Sequence, residues 1–88
     1  MKCIAIDDEP IALSIISRYC EQRGGVELET YSSARLGMQR IHEWMPDVVF
    51  LDIEMNGTSG IELARQLPQS CCLIFTTAYA HYALEGFE

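Results

Sequence analysis

The stretch that most constrains the fold is residues 48–52, Val-Val-Phe-Leu-Asp, in which four apolar residues end on a carboxylate. Such a run, rich in β-branched and aromatic residues, is typical of a strand covered on both faces, as in a parallel sheet. Residues 3–6, Cys-Ile-Ala-Ile, repeat the pattern and are followed by Asp7 and Asp8. Ligands bind at the carboxyl ends of parallel strands. If the two strands are neighbours, we therefore expect Asp7, Asp8 and Asp52 to converge.

Strands and helices alternate along the chain. Pro10, the Gly24-Gly25 pair and the serines at 32 and 33 are helix start and stop signals. Strict alternation predicts an α/β fold with a parallel sheet and helices on both faces. The doubly wound strand order 2-1-3-4 puts Asp52 beside the first strand and Thr77 at the end of the next strand over. The predicted strands are residues 2–6, 26–31, 48–52 and 71–76; the predicted helices are 10–23, one between Ser33 and Pro46, 59–67, and a last one after Ala78.

Size and composition set further limits. Eighty-eight residues indicate one domain, residues 1–88. The net charge of −7, with scattered Lys and Arg, argues against a nucleic-acid surface. No apolar run approaches the roughly 18 residues of a membrane span, and no signal peptide is evident. The cysteines lack C-x-x-C spacing, which argues against zinc. We expect a cytoplasmic protein with reduced thiols, buried in strands at Cys3, Cys71 and Cys72.

The acidic cluster suggests a chemistry. Crowded carboxylates repel one another, and one takes up a proton unless a cation offsets the charge. Mg²⁺ prefers oxygen ligands and often combines one or two carboxylates with phosphate oxygens. An Asp beside Mg²⁺ can act as a nucleophile toward phosphorus. The plainer alternative is that Asp7, Asp8 and Asp52 only cap helices and loops.

Four motifs together resemble the receiver domain of two-component response regulators, which has a flavodoxin-like sheet. They are Ile-Asp-Asp-Glu-Pro at 6–10, the stretch 48–52, Ser-Gly-Ile-Glu-Leu at 59–63 and Thr-Thr-Ala-Tyr at 76–79. The order of the motifs matches the family, and the resemblance spans the whole chain. Residues 75–88 resemble receivers of the class that carries a LytTR-type DNA-binding domain.

The resemblance implies a role for each matching residue. Asp52 would be the phosphoacceptor, taking a phosphoryl group from a sensor histidine kinase to switch an output domain that controls transcription. Asp8 would bind Mg²⁺ directly, Asp7 largely through water, and Glu54 through its backbone carbonyl. Thr77 would be the switch hydroxyl that hydrogen-bonds the phosphoryl group. The receiver would be a signalling domain, not an enzyme, and any contact with DNA would belong to a C-terminal output domain.

The sequence departs from the family at two points. Asn56 stands where receivers usually have proline, which predicts a looser loop. No lysine follows Asp52, although receivers carry a lysine at the end of a fifth strand, before a fifth helix. We therefore expect a receiver truncated before the fifth strand. Its fourth strand would be an exposed edge, and an edge of that kind favours a homo-oligomer through this strand and the last helix.

Two other functions stay open at this point. The absent lysine is compatible with a phosphorylation-incompetent, receiver-like interaction module. The segment Asp52-Ile53-Glu54, with Gly57-Thr58, resembles the D-x-D-G-T loop of haloacid-dehalogenase-type phosphohydrolases. In that family, however, the loop follows the first strand and has Asp where this chain has Glu54.

Overall fold

A computed structural model describes residues 1–55 and 57–76, so Thr77 and the predicted last helix lie outside the described residues. The described residues alternate between strands and helices, as the sequence predicts, and add two short strands after Asp52. In chain order the elements are β1 (Lys2–Ile6), α1 (Pro10–Arg23), β2 (Glu27–Tyr31), α2 (Ala34–Trp44), β3 (Val48–Leu51), β4 (Glu54–Met55), β5 (Thr58–Ser59), α3 (Gly60–Ala64) and β6 (Cys72–Phe75).

Four strands form a parallel sheet in the order β2-β1-β3-β6. Since β6 is the fourth predicted strand, the expected order 2-1-3-4 is confirmed. The register pairs Ile6 of β1 with both Tyr31 of β2 and Leu51 of β3. The three strands therefore end level with one another, at one edge of the sheet.

The main hydrophobic core lies on one face of the sheet. Alternate residues of β1 and β3 are buried there against α2 and the loop after β3. The opposite face holds Cys3, which is buried near Cys20 of α1. Helices therefore cover both faces, as predicted. The buried cluster comprises Ile4, Ile6, Met38, Ile41, Val49, Leu51 and Met55.

The predicted helix boundaries of α1 and α2 are confirmed. Helix α1 begins at Pro10 and ends before Gly24, which has φ of 75° and donates its N–H to the Cys20 carbonyl at 3.0 Å. The Ser33 side chain accepts the Leu36 N–H at 3.3 Å at the start of α2. Each of these bonds satisfies a backbone group that a helix end leaves unpaired.

Helix α3 is shorter than the predicted 59–67. The N–H of Gln66 donates to the Leu63 carbonyl at 3.0 Å, and that of Leu67 to the Ala64 carbonyl at 3.2 Å. These bonds span three residues instead of four, so the chain tightens into turns and the α-helix ends.

The prediction of buried strand thiols is right for Cys3 and wrong for Cys72, which is exposed, while Cys71 is half-buried. Strand β6 is at the edge of the sheet that the described residues form. Among the described residues β6 therefore has a neighbouring strand on one side only, whereas β1, where Cys3 lies, is between two strands.

A group of polar and aromatic side chains ties the other edge strand to α2. Arg40 of α2 forms an ion pair with Glu29 of β2 at 2.8 Å, and the Tyr31 hydroxyl donates to the same carboxylate. Two cations lie over the Trp44 ring, Lys2 Nζ at 5.3 Å and the Arg40 guanidinium at 5.0 Å from its centre. These contacts hold β2 and the start of β1 against α2.

None of the helices within the described residues is long and apolar enough to cross a membrane.

The fold predicts a contrast between two isoleucines in helices. Ile41 of α2 is fully buried, whereas Ile15 of α1 is 65% exposed. We expect Ile41→Val to lower the free energy of unfolding by about 0.5–1.5 kcal/mol, because it leaves a cavity the size of a methyl group. Ile15→Val should change it by less than about 0.5 kcal/mol. Urea denaturation measures both; equal losses would contradict this assignment of the core.

Candidate functional site

The acidic residues lie just past the carboxyl ends of β1 and β3, where the backbone hydrogen bonding of the sheet continues for one more residue. The Asp52 N–H donates to the Ile6 carbonyl at 3.2 Å, and the Asp7 N–H donates to the Tyr31 carbonyl at 3.1 Å. The sheet hydrogen bonds therefore fix the backbone of both aspartates. The backbone positions of Asp7 and Asp52 therefore follow from the strand register.

Three carboxylates meet at this edge. Asp7, Asp8 and Asp52 each offer one oxygen, and these oxygens all lie within 4.8 Å of one another. Asp7 is only 4% exposed, while Asp8 and Asp52 are half-buried. One small patch thus combines up to three negative charges with limited access to water.

Two of these side chains are oriented by local backbone hydrogen bonds. Asp7 Oδ1 accepts the N–H of Glu9 at 2.9 Å, and Asp52 Oδ1 accepts the N–H of Glu54 at 3.3 Å. In both cases the carboxylate bonds the amide two residues ahead, the turn that Asp commonly forms after a strand. Each carboxylate is thereby held at its strand end, within reach of the other.

The electrostatics of the patch favour protonation. Burial raises the pKa of Asp52, and the nearby Asp7, Asp8 and Glu54 charges raise it further, while the hydrogen bond from Glu54 lowers it. Burial also raises the pKa of Asp7, against the hydrogen bond from Glu9. Both carboxylates are therefore less acidic than in water, and a cation placed between them would relieve the repulsion.

The loop after Asp52 folds back on itself. Strands β4 and β5 pair antiparallel, with Glu54 opposite Ser59 and Met55 opposite Thr58, and Met55 is buried in the core. The Gly60 N–H donates to the Ile53 carbonyl at 2.7 Å, one residue outside the Glu54–Ser59 pair on each strand. This pattern makes Glu54 and Ser59 a non-hydrogen-bonded pair, so the ladder does not use the Glu54 carbonyl.

The structure brings Asp7, Asp8 and Asp52 together and places Glu54 beside them, with its side chain exposed. Thr77 lies outside the described residues. Lys2, the only lysine in the sequence, is at the other end of β1, about 16 Å away along the strand. Its Nζ donates to the Trp44 carbonyl at 3.0 Å, at the end of the strands opposite to the acidic residues.

Sequence reasoning missed the hairpin in this loop and the contact made by Gly60. A signal for the hairpin was present, because Asn56-Gly57 is the dipeptide most typical of a two-residue hairpin turn. Gly57 has φ of 71°, the left-handed conformation that such a turn needs. No local pattern marks the contact of Gly60, which depends on tertiary packing.

A family profile described as "Response regulator receiver domain" matches residues 3–87. The chain belongs to the response regulator receiver domain family. This match supports the predicted flavodoxin-like fold and favours a receiver over a phosphohydrolase. Receivers of this family are signalling modules of two-component systems.

Related proteins agree with this assignment. A response regulatory protein of Vibrio parahaemolyticus is 40% identical over 91 residues, which cover 100% of this chain and 38% of that protein. The transcriptional regulatory protein BtsR of Escherichia coli is 33% identical, with the same coverage. The receiver chain thus spans 38% of the length of both relatives.

Solved structures show the same fold. The response regulator TrrA of Thermotoga maritima, solved with Mg²⁺ and BeF, is 30% identical with a TM-score of 0.79, covering 96% of this chain and 75% of that one. TrrA has also been crystallised with the histidine kinase ThkA. The match to that structure is 32% identical with a TM-score of 0.75, and it covers 92% of this chain and 72% of the matched chain.

The carboxylate cluster predicts how stability depends on pH. Because the pKa of Asp52 is raised in the folded state, ionisation of Asp52 opposes folding at neutral pH. In metal-free buffer Asp52→Asn should therefore raise the melting temperature at pH 7. The difference from the native protein should shrink as the pH falls through the raised pKa. Thermal unfolding measured from pH 7 to pH 4 tests this, and a difference that does not depend on pH would contradict it.

Proposed function

We propose that this receiver is a phosphoacceptor, which takes a phosphoryl group from a sensor histidine kinase onto Asp52 with the help of Mg²⁺. The observation that carries the proposal is the convergence of Asp7, Asp8 and Asp52 to within 4.8 Å. The similarity to TrrA, which has been solved with Mg²⁺ and BeF and with a histidine kinase, also supports the proposal.

The residues at this edge fit a magnesium ion. Carboxylate oxygens are ligands that Mg²⁺ prefers, and burial raises the pKa of Asp7 and of Asp52, so a cation at this edge would favour their ionised forms. Asp8 and Asp52 would hold the ion directly, Asp7 largely through water, and Glu54 through its backbone carbonyl. The antiparallel ladder leaves that carbonyl unused, which supports the last assignment. When bound, Mg²⁺ would supply positive charge for the transferring phosphoryl group.

The transfer itself requires a nucleophile in a fixed position. An oxygen of Asp52 forms a bond to phosphorus while the bond from phosphorus to the kinase histidine nitrogen breaks, and the imidazole leaves and takes a proton. The hydrogen bonds that Asp52 forms with Ile6 and Glu54 hold it against β1 during this step. Thr77 would then donate its hydroxyl to the new phosphoryl group as the switch residue.

We further propose that the switch controls transcription through a LytTR-type output domain, in the cytoplasm. The name of the relative BtsR supports a transcriptional output, and the resemblance of residues 75–88 supports the LytTR class. We also propose that the protein forms a homo-oligomer through the edge strand β6. Ile74 and Phe75 support it, since they are 44% and 39% exposed on this edge strand.

A phosphorylation assay with matched carboxylate variants tests the proposal. With Mg²⁺ and acetyl phosphate, the native protein should gain one phosphoryl group, seen as a mass increase of about 80 Da, and Asp52→Asn should gain none. Glu54→Gln keeps the backbone carbonyl and changes only an exposed side chain, so it should be phosphorylated nearly as fast as the native protein. Intact-protein mass spectrometry measures all three.

The outcome separates the competing functions. Absence of phosphorylation and of Mg²⁺-dependent beryllofluoride binding in the native protein would contradict the proposal and favour the interaction module. Equal phosphorylation of the native protein and Asp52→Asn would contradict the choice of Asp52. Failure of Glu54→Gln alone would mean that the side chain of Glu54, and not its carbonyl, serves the site.

A further inference from the structure

Gly60 lies unusually close to the backbone of the proposed phosphoacceptor. A Cβ atom at position 60 would overlap the Asp52 carbonyl oxygen, and it would lie 2.7 Å from Ile53 Cα and 2.9 Å from the Asp52 carbonyl carbon. All three neighbours are backbone atoms, which cannot move aside as the end of a flexible side chain can. Gly60 itself is buried at the first position of α3.

The same residue closes the loop that carries the proposed metal ligands. The Gly60 N–H donates to the Ile53 carbonyl at 2.7 Å, and the Asp52 N–H donates to β1. The peptide that joins Asp52 to Ile53 is thus held between β1 on one side and α3 on the other. Any residue larger than glycine must push α3 away from this peptide or displace the peptide itself.

We propose that Gly60 is a positioning residue for the acidic site. Its missing side chain lets α3 rest on the Asp52–Ile53 backbone, and this contact sets the direction of the Asp52 carboxylate and the Glu54 carbonyl. The inference rests on the proposed function for its link to Mg²⁺, whereas the contact with the loop can be tested without any metal.

Gly60→Ala tests the inference, with Gly24→Ala as the matched control. Gly24 has φ of 75°, and an added methyl group there would meet no atom within 4 Å, so alanine strains the end of α1 far from the site. Both variants should melt several degrees lower than the native protein. Only Gly60→Ala should also bind Mg²⁺ about 10–100-fold more weakly by isothermal titration calorimetry, the loss typical when support behind metal ligands is removed.

Backbone amide resonances provide the readout that needs no metal. In metal-free protein, Gly60→Ala should shift the amide signals of residues 52–54, and Gly24→Ala should leave them in place. Unchanged signals at residues 52–54 in Gly60→Ala would overturn the inference. If the native protein binds Mg²⁺, an equal Mg²⁺ affinity of Gly60→Ala would overturn it as well. If the native protein does not bind Mg²⁺, the proposed function fails, and the amide shifts alone decide the role of Gly60.

Hydrogen exchange of the native protein decides the matter if Gly60→Ala does not fold. The amide of Gly60 should exchange slowly, at rates comparable with those of amides in β1, because its bond to Ile53 is part of the packed contact. Exchange of the Gly60 amide as fast as in an unstructured chain would overturn the inference.

Discussion

The parallel pairing of β1 with β3 is the interaction on which the rest of the structure depends. Ile6 opposite Leu51 puts the next residue of each strand, Asp7 and Asp52, at the same level of the sheet. The Asp52 N–H continues the ladder by bonding to Ile6. A register shifted by one residue would turn the Asp52 side chain to the other face of the sheet and disperse the cluster. The acidic site is therefore a direct product of strand register.

Burial of the hydrophobic core stabilises the β1–β3 pair against the electrostatic repulsion between the carboxylates at its end. Ile4 and Ile6 on β1 and Val49 and Leu51 on β3 are completely buried, and they hold together the two strands whose ends carry like charges. The raised pKa values of Asp7 and Asp52 indicate that the charges oppose folding in the absence of a cation. A ligand that binds only the folded state stabilises it. Site occupancy and folding are thus coupled through the same pair of strands.

The sequence predicts most of the fold because buried parallel strands are continuous apolar runs, and because Pro10, Gly24 and Ser33 mark helix ends by simple backbone chemistry. It also predicts the meeting of Asp7, Asp8 and Asp52, since strand ends in one parallel sheet lie at one edge. The end of α3 could not be foreseen, because bonds spanning three and four residues compete with little difference in energy. The exposure of Cys72 depends on what covers an edge strand, which local sequence does not encode.

The loop after Asp52 shows a different limit of sequence reasoning. The prediction of a looser loop rests on Asn56, which lies outside the described residues, whereas the pairing of its flanking residues as β4 and β5 was not predicted. In the sequence Gly60 is one residue of the motif at 59–63, and only its approach to the Asp52 backbone in three dimensions shows why no side chain fits there. Local sequence patterns predict that a turn exists, but they do not predict which distant backbone atoms the turn will contact.

The most direct test of the central claim is the position of a divalent cation bound to the crystallised protein. Mn²⁺ shares with Mg²⁺ a preference for oxygen ligands and can be located by its anomalous scattering. We expect one strong peak between the carboxylates of Asp8 and Asp52, at the shared end of β1 and β3. A peak elsewhere, or none at that edge with Asp8 and Asp52 separated beyond the reach of one ion, would contradict it.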